Sequence, residues 1–154
     1  MEKLSLLRWV LLIVLGIWIM GLVAQFTYTL FYGGLADYEL FRFGSSTFVI
    51  SLFFSLVLFT AVFFAYQAIK EIIKSGYYNS ISAKKFKTSG VLIVGTQLIS
   101  ILFQFINSST KTLDNTISFW IMDALFLLIG IGLLSISDLL KEGKMLKEEN
   151  DLMI

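Results

Sequence analysis

The chain has no cysteine, no histidine and no proline in 154 residues, and each absence removes a class of chemistry. Without Cys there is no disulfide, no thiol nucleophile and no thiolate metal site, whatever the compartment. Without His there is no Ser-His-Asp triad, no imidazole-ligated zinc or haem, and no ordinary side chain that titrates near neutrality. Most hydrolase and metalloenzyme readings end there, and the expectation is a protein that is not an enzyme, with no cofactor and no metal. Without Pro, none of the apolar segments carries the proline kink common in transporter helices. Charge is also scarce: 15% of residues are charged against 57% hydrophobic, with a mean hydropathy of +0.84. That balance leaves too little polar surface for a water-soluble fold.

What is present is a series of four long apolar runs. Trp9 to Tyr32 is uncharged and would make about 36 Å of helix, more than the roughly 30 Å of bilayer hydrocarbon. Lys3 and Arg8 before it resemble the basic region of a signal peptide, but the run is too long and no small-x-small cleavage site follows, so it reads as an uncleaved anchor. Thr47 to Ile69 and Thr88 to Thr110 are also uncharged, and Ile117 to Ser137 contains one acid, Asp123. These lengths predict an all-α, polytopic integral membrane protein, a four-transmembrane-helix bundle spanning residues 9–32, 47–69, 88–110 and 117–137. A connection at 70–87 and a tail at 138–154 complete a single domain, because no extramembrane segment is long enough to bury a core of its own.

The distribution of Lys and Arg predicts the orientation. Of twelve, Lys3, Arg8, Lys70, Lys74, Lys84, Lys85, Lys87, Lys141, Lys144 and Lys147 fall on one side, and only Arg42 and Lys111 on the other. The positive-inside rule then gives N-in/C-in with the middle connection cytoplasmic. Aromatic residues agree, with Tyr28, Tyr32, Tyr38 and Trp120 near the outer boundary and Trp9, Tyr66, Tyr77 and Tyr78 near the inner one. In the connection, Ser82 is the expected N-cap of the third helix. Lys84, Lys85 and Lys87 are candidates for anionic lipid, each contributing about 1 kcal/mol near the surface, although insertion alone accounts for basic cytoplasmic loops. No basic helix face with interleaved stacking aromatics accompanies them, so direct nucleic-acid binding is not expected. Ser80, Ser82 and Lys84 lack an evident oxyanion hole and read as solvated loop rather than a serine-lysine nucleophile.

The third run carries Gln97, Ser100, Gln104 and Asn107 at offsets of three, seven and ten, on one helical face. Lipid cannot satisfy amides, so that face should meet other helices or water. Gln25, Gln104 and Asp123 lie about 9 Å below the outer boundary by residue count, which allows them to meet. Asp123 is the foremost functional candidate, because an acid within a span costs roughly 2.5 to 3.5 kcal/mol on insertion scales and usually faces the bundle interior. It reads either as a proton or cation relay or as interhelical glue contributing about 0.6 kcal/mol, and the glue reading is the simpler, since a transport path normally needs more than one ionisable group. Ser51 and Ser55 form a lesser polar pair in the second run. Gly16, Gly21, Gly130 and Gly132 are packing glycines without the spacing of a GxxxG dimer motif.

The segment after Asp138 is expected to extend the fourth helix and end in a free tail, in which Lys147, Glu148, Glu149, Asn150, Asp151 and Leu152 are candidates for docking a partner. Leu146 to Leu152, LKEENDL, following Gly143 and Lys144, resembles the closing signature of the domain of unknown function 2975 family, a family of bacterial membrane proteins. Ser75-Gly76-Tyr77-Tyr78-Asn79-Ser80, then Ala83-Lys84-Lys85 and Gly90, is similar to that family's glycine, aromatic and basic pattern before its third span. Met153 departs from it, standing where the family more often has Thr. With the four-span spacing the resemblance covers nearly the whole chain. It implies a four-helix protein of the bacterial cytoplasmic membrane, no established activity, and a small cytoplasmic helix-turn-helix regulator as a class of partner. The sequence therefore reads as a membrane-embedded interaction or regulatory component. The alternative is a minimal transporter or channel subunit, which would need a homo-oligomer to enclose a pore lined by Gln97, Gln104 and Asp123.

Overall fold

The computed structural model describes residues 2–32, 45–106 and 113–152. Every long element among them is a helix: α1 (Glu2–Tyr32), α2 (Ser45–Ser75), α3 (Ser80–Ile106) and α4 (Leu113–Leu152). A backbone surrounded by hydrocarbon has to satisfy its own N–H and C=O groups, and Leu-, Ile- and Phe-rich runs free of Pro do so as helices. All four are long and apolar enough to cross a membrane, as the composition predicts.

The contacts between helices run in opposite directions along each neighbouring pair, so the chain folds up and down in series. Trp18 Nε1 donates to Ser55 Oγ at 2.9 Å, while Leu4 and Leu11, nearer the start of α1, pack on the cluster around Ala65, Ala68, Ile69 and Ile72 near the end of α2. Ser89 Oγ donates to the Ala61 carbonyl at 2.7 Å, and Lys85 pairs with Glu71 at 3.7 Å. Gly90 lies against Gly130, and Ser137 Oγ donates to the Ala83 carbonyl at 2.8 Å. The most extensive packing joins α3 to α4, then α2 to α3, then α1 to α2. Both described chain ends and the turn at 76–79 therefore share one end of the molecule, and the ten basic residues named above gather there.

Small residues make the close packing possible, as expected where lipid supplies no hydrophobic drive between helices. Ala61, Ala65 and Ala68 form the inner stripe of α2, and Ser82, Ala83, Ser89 and Gly90 that of α3, all buried. By contrast, only 6% of the apolar window of α1 is buried against 28% for α3. Lipid is the main solvent of α1, which is apolar all round.

Two boundaries differ from expectation. Helix α2 continues to Ser75 and α3 starts at Ser80, leaving only a short turn. Gly76 takes a left-handed conformation (φ +85°), and its N–H bonds the Ile72 carbonyl at 2.9 Å to close α2. The N-cap of α3 is Asn79, whose Oδ1 accepts from the Ile81 N–H at 2.8 Å. Ser82, expected in that role, lies inside the first turn, fully buried with its Oγ unpartnered among the described residues. The segment after Asp138 extends the fourth helix as expected, but the helix runs on to Leu152, through the residues expected to form a free tail. The 40 residues of α4 make about 60 Å, roughly twice the hydrocarbon thickness.

Candidate functional site

The polar residues inside the spans converge between α3 and α4. Asp123 on α4 is 8% exposed, as is Gln104 on α3. Gln104 Nε2 donates to Asp123 Oδ2 at 2.5 Å and to Ser100 Oγ at 3.2 Å. Ser100 Oγ reaches both carboxylate oxygens at 3.3 and 3.4 Å. Ser100 and Gln104 stand four residues apart on one face of α3, which is why both reach the same acid. Among the described residues no Lys or Arg joins them, and the donors that reach the carboxyl there are neutral. Such donors offset part of the cost of taking it out of water.

Of the predicted polar face, Ser100, Gln104 and Asp123 come together. Gln97 is buried on the same face at 3% exposure but takes no part in the hydrogen bonds around Asp123. The side chain of Gln25 and the whole of Asn107 lie outside the described residues. One acceptor in the cluster is left over: Gln104 Oε1 is buried without a hydrogen-bond partner among the described residues. The Phe105 and Trp120 rings, both exposed, meet at 5.4 Å and add a second contact between α3 and α4 near the cluster in sequence. No group of three His, Cys, Asp or Glu able to hold a metal occurs among the described residues.

No family model, curated protein or solved structure matches the chain. Function has to be argued from the residues themselves.

At the basic end, Lys84 and Lys87 are exposed, whereas Lys85 turns inward, half-buried against Glu71 on α2. The three lysines thus do not form one patch. Lys147, Glu148, Glu149, Asn150, Asp151 and Leu152 are all exposed on the last turns of α4. Sequence reasoning missed the contacts that bind the helices: Trp18 with Ser55, Ser89 and Ser137 with carbonyls of the neighbouring helix, and Gly90 with Gly130. A signal for the last three was present. Ser82, Ser89 and Thr96 recur every seven residues, as do Gly130 and Ser137, marking a seam of small residues. Of the four packing glycines, only Gly130 makes a close approach; Gly16, Gly21 and Gly132 have open space where a side chain would stand.

Proposed function

We propose that this protein is a small interaction or regulatory component of a bacterial cytoplasmic membrane, working through the end of α4. The observation that carries this reading is the length of α4. From Asp138 to Leu152 it continues as about 22 Å of helix past the apolar run, with most of its side chains exposed and both signs of charge represented. A free end needed only to prevent insertion would not have to be helical, whereas a rigid helix presents side chains in fixed register. The collected basic residues argue that this end faces the cytoplasm. The resemblance to the domain of unknown function 2975 family suggests a helix-turn-helix regulator as the class of partner there. Burial of Asp123 among Ser100 and Gln104 favours its role as glue between α3 and α4.

The test is crosslinking in native membranes followed by mass spectrometry, with the full chain and with a deletion of Lys147 to Ile154. The full chain is expected to capture a cytoplasmic protein that the deletion loses, and capture undiminished by the deletion would refute the proposal. The second reading, a transporter or channel subunit, has in its favour the buried, unpartnered Gln104 Oε1, a lone acceptor beside an acid. It requires that Asp123→Asn keep its stability yet lose a pH-dependent flux in proteoliposomes; unchanged flux leaves the interaction reading standing.

A further inference from the structure

Past the membrane run, α4 carries a seven-residue pattern that the contacts within the chain do not use up. Ile136, Leu139, Gly143, Leu146 and Asn150 alternate in steps of three and four, the a and d positions of a heptad, and share one stripe. Glu142 and Glu149 flank the stripe at g, and Lys147 flanks it at e. The outward b, c and f positions hold the two ion pairs of this segment, Lys141 with Asp138 at 3.8 Å and Lys144 with Glu148 at 3.4 Å. Glu142, Lys147 and Glu149 have no ion pair among the described residues. Leu139 and Leu146 are 65% and 62% exposed where the helix leaves the membrane. Tyr77 and Tyr78 wall the stripe on one side, forming an open cleft of about 470 Å³. The Tyr78 ring rests so closely on Gly143 that a side chain there would overlap it.

We infer that this stripe is a docking seam for a second copy of the same chain, the two α4 ends lying side by side and parallel. The inference rests on the proposed role of α4 as the interaction element and places a second copy on its a and d stripe, which leaves the exposed Glu148, Asp151 and Leu152 on the outward faces for the cytoplasmic partner. Two copies inserted with one orientation and related by a twofold axis along the membrane normal necessarily present α4 in parallel. In a parallel pair a g residue faces the e residue five positions later on the other helix. Glu142 of each copy then faces Lys147 of the other, and the twofold makes two such pairs from the charges left without partners. An antiparallel pair would instead set g against g, acid against acid. Asn150 occupies an a position, where a polar side chain bonds its own counterpart and selects a parallel register. At Gly143 the Tyr78 ring takes the place of the missing side chain and completes the seam. Two heptads are marginal as a free coil, but the shared membrane holds the two ends at high local concentration.

The absence of cysteine makes the test direct. Single-cysteine variants of the full chain, Leu146→Cys and Asn150→Cys on the stripe and Met145→Cys and Glu148→Cys off it, are purified, reconstituted into liposomes of zwitterionic and anionic phospholipid, and mildly oxidised. All four positions are exposed, so each variant should fold. Disulfide dimers are expected about tenfold faster at 146 and 150 than at 145 and 148, since a bridge needs Cα atoms within about 7 Å. Glu142→Lys or Lys147→Glu alone should remove that preference, and the double reversal should restore it. Equal rates at the four positions, or no dimer at 146 and 150, would overturn the inference. Because the liposomes contain this chain alone, the result is separable from the partner test above: failure here with capture still dependent on Lys147 to Ile154 removes the dimer and leaves the interaction role. Success here with capture unaffected by the deletion does the reverse.

Discussion

A single methyl group at Gly90 tests the packing on which the α3–α4 pair depends. A Cβ built there would lie 2.8 Å from the Gly130 carbonyl oxygen and 2.8 Å from Leu134 Cγ, closer than such atoms approach. The oxygen belongs to helical backbone and cannot rotate away, so Gly90→Ala has to push the two helices apart. Overpacking of this kind costs about 1–3 kcal/mol, against a helix-propensity gain of about 0.5–1 kcal/mol for replacing Gly by Ala. The separation also stretches the Ser137 bond to the Ala83 carbonyl, a type of contact contributing about 0.6 kcal/mol in membranes. The expected net loss is about 1–2 kcal/mol, or roughly tenfold in the ratio of packed to separated helices. At Gly130 the nearest atoms are the γ2 methyls of Val94 and Ile93, at 2.8 and 3.1 Å, with the Gly90 carbonyl oxygen at 3.3 Å; β-branched side chains are stiff in a helix, so Gly130→Ala should cost about as much as Gly90→Ala. Gly132 has nothing within 4 Å, so Gly132→Ala should be neutral or slightly stabilising. Titration of folded protein in mixed micelles with sodium dodecyl sulfate, followed by Trp fluorescence and circular dichroism, orders the three. Trp120, in contact with Phe105, reports directly on this helix pair. If Gly90→Ala is as stable as Gly132→Ala, the close approach does not hold the helices together.

The same titration tests two further expectations. Asp123→Leu leaves the buried Gln104 Nε2 without its carboxylate acceptor and should cost about 1–2 kcal/mol, whereas Asp123→Asn keeps an acceptor and should stay within about 0.5 kcal/mol of the parent; equal losses would show that the acid is not glue. Ser89→Ala and Ser137→Ala each remove a buried bond to a neighbouring helix and should lose about 0.6 kcal/mol. Ser135→Ala, whose exposed hydroxyl bonds the Ile131 carbonyl of its own helix, is expected to show no loss and serves as the control.

The number of helices able to cross a membrane was legible because hydrocarbon thickness sets a length that four runs satisfy and nothing else in the chain approaches. The ends of those helices were not, because charge marks where water begins and not where a helix stops. Lys and Glu are good helix formers, so α2 runs on past Lys70 to Ser75, and α4, expected to extend past Asp138, does so as far as Leu152. The cap of α3 was misplaced for a related reason. Gly76 ends α2 in a left-handed turn, and the first polar side chain able to reach the next helix's N–H groups is Asn79, three residues before Ser82.

The candidate site shows where one-dimensional reasoning stops. Gln97, Ser100 and Gln104 were all legible as partners on one face, but which of them meets Asp123 depends on the register of α4 against α3. That register is set by the Gly90–Gly130 approach and by Ser137 against the Ala83 carbonyl. Counting from those contacts along antiparallel helices, Asp123 falls level with Gln97. Yet the bonds go to Ser100 and Gln104. Helical side chains lean towards the N-terminus of their own helix. On α4 that carries the Asp123 carboxyl outward, away from the basic end, whereas on α3 it carries Gln104 inward to meet it and draws Gln97 inward, away from it. The selection of Gln104 over Gln97 thus follows from helix direction and one close glycine contact, and shifting α4 along α3 by a single turn would transfer the acid to a different amide.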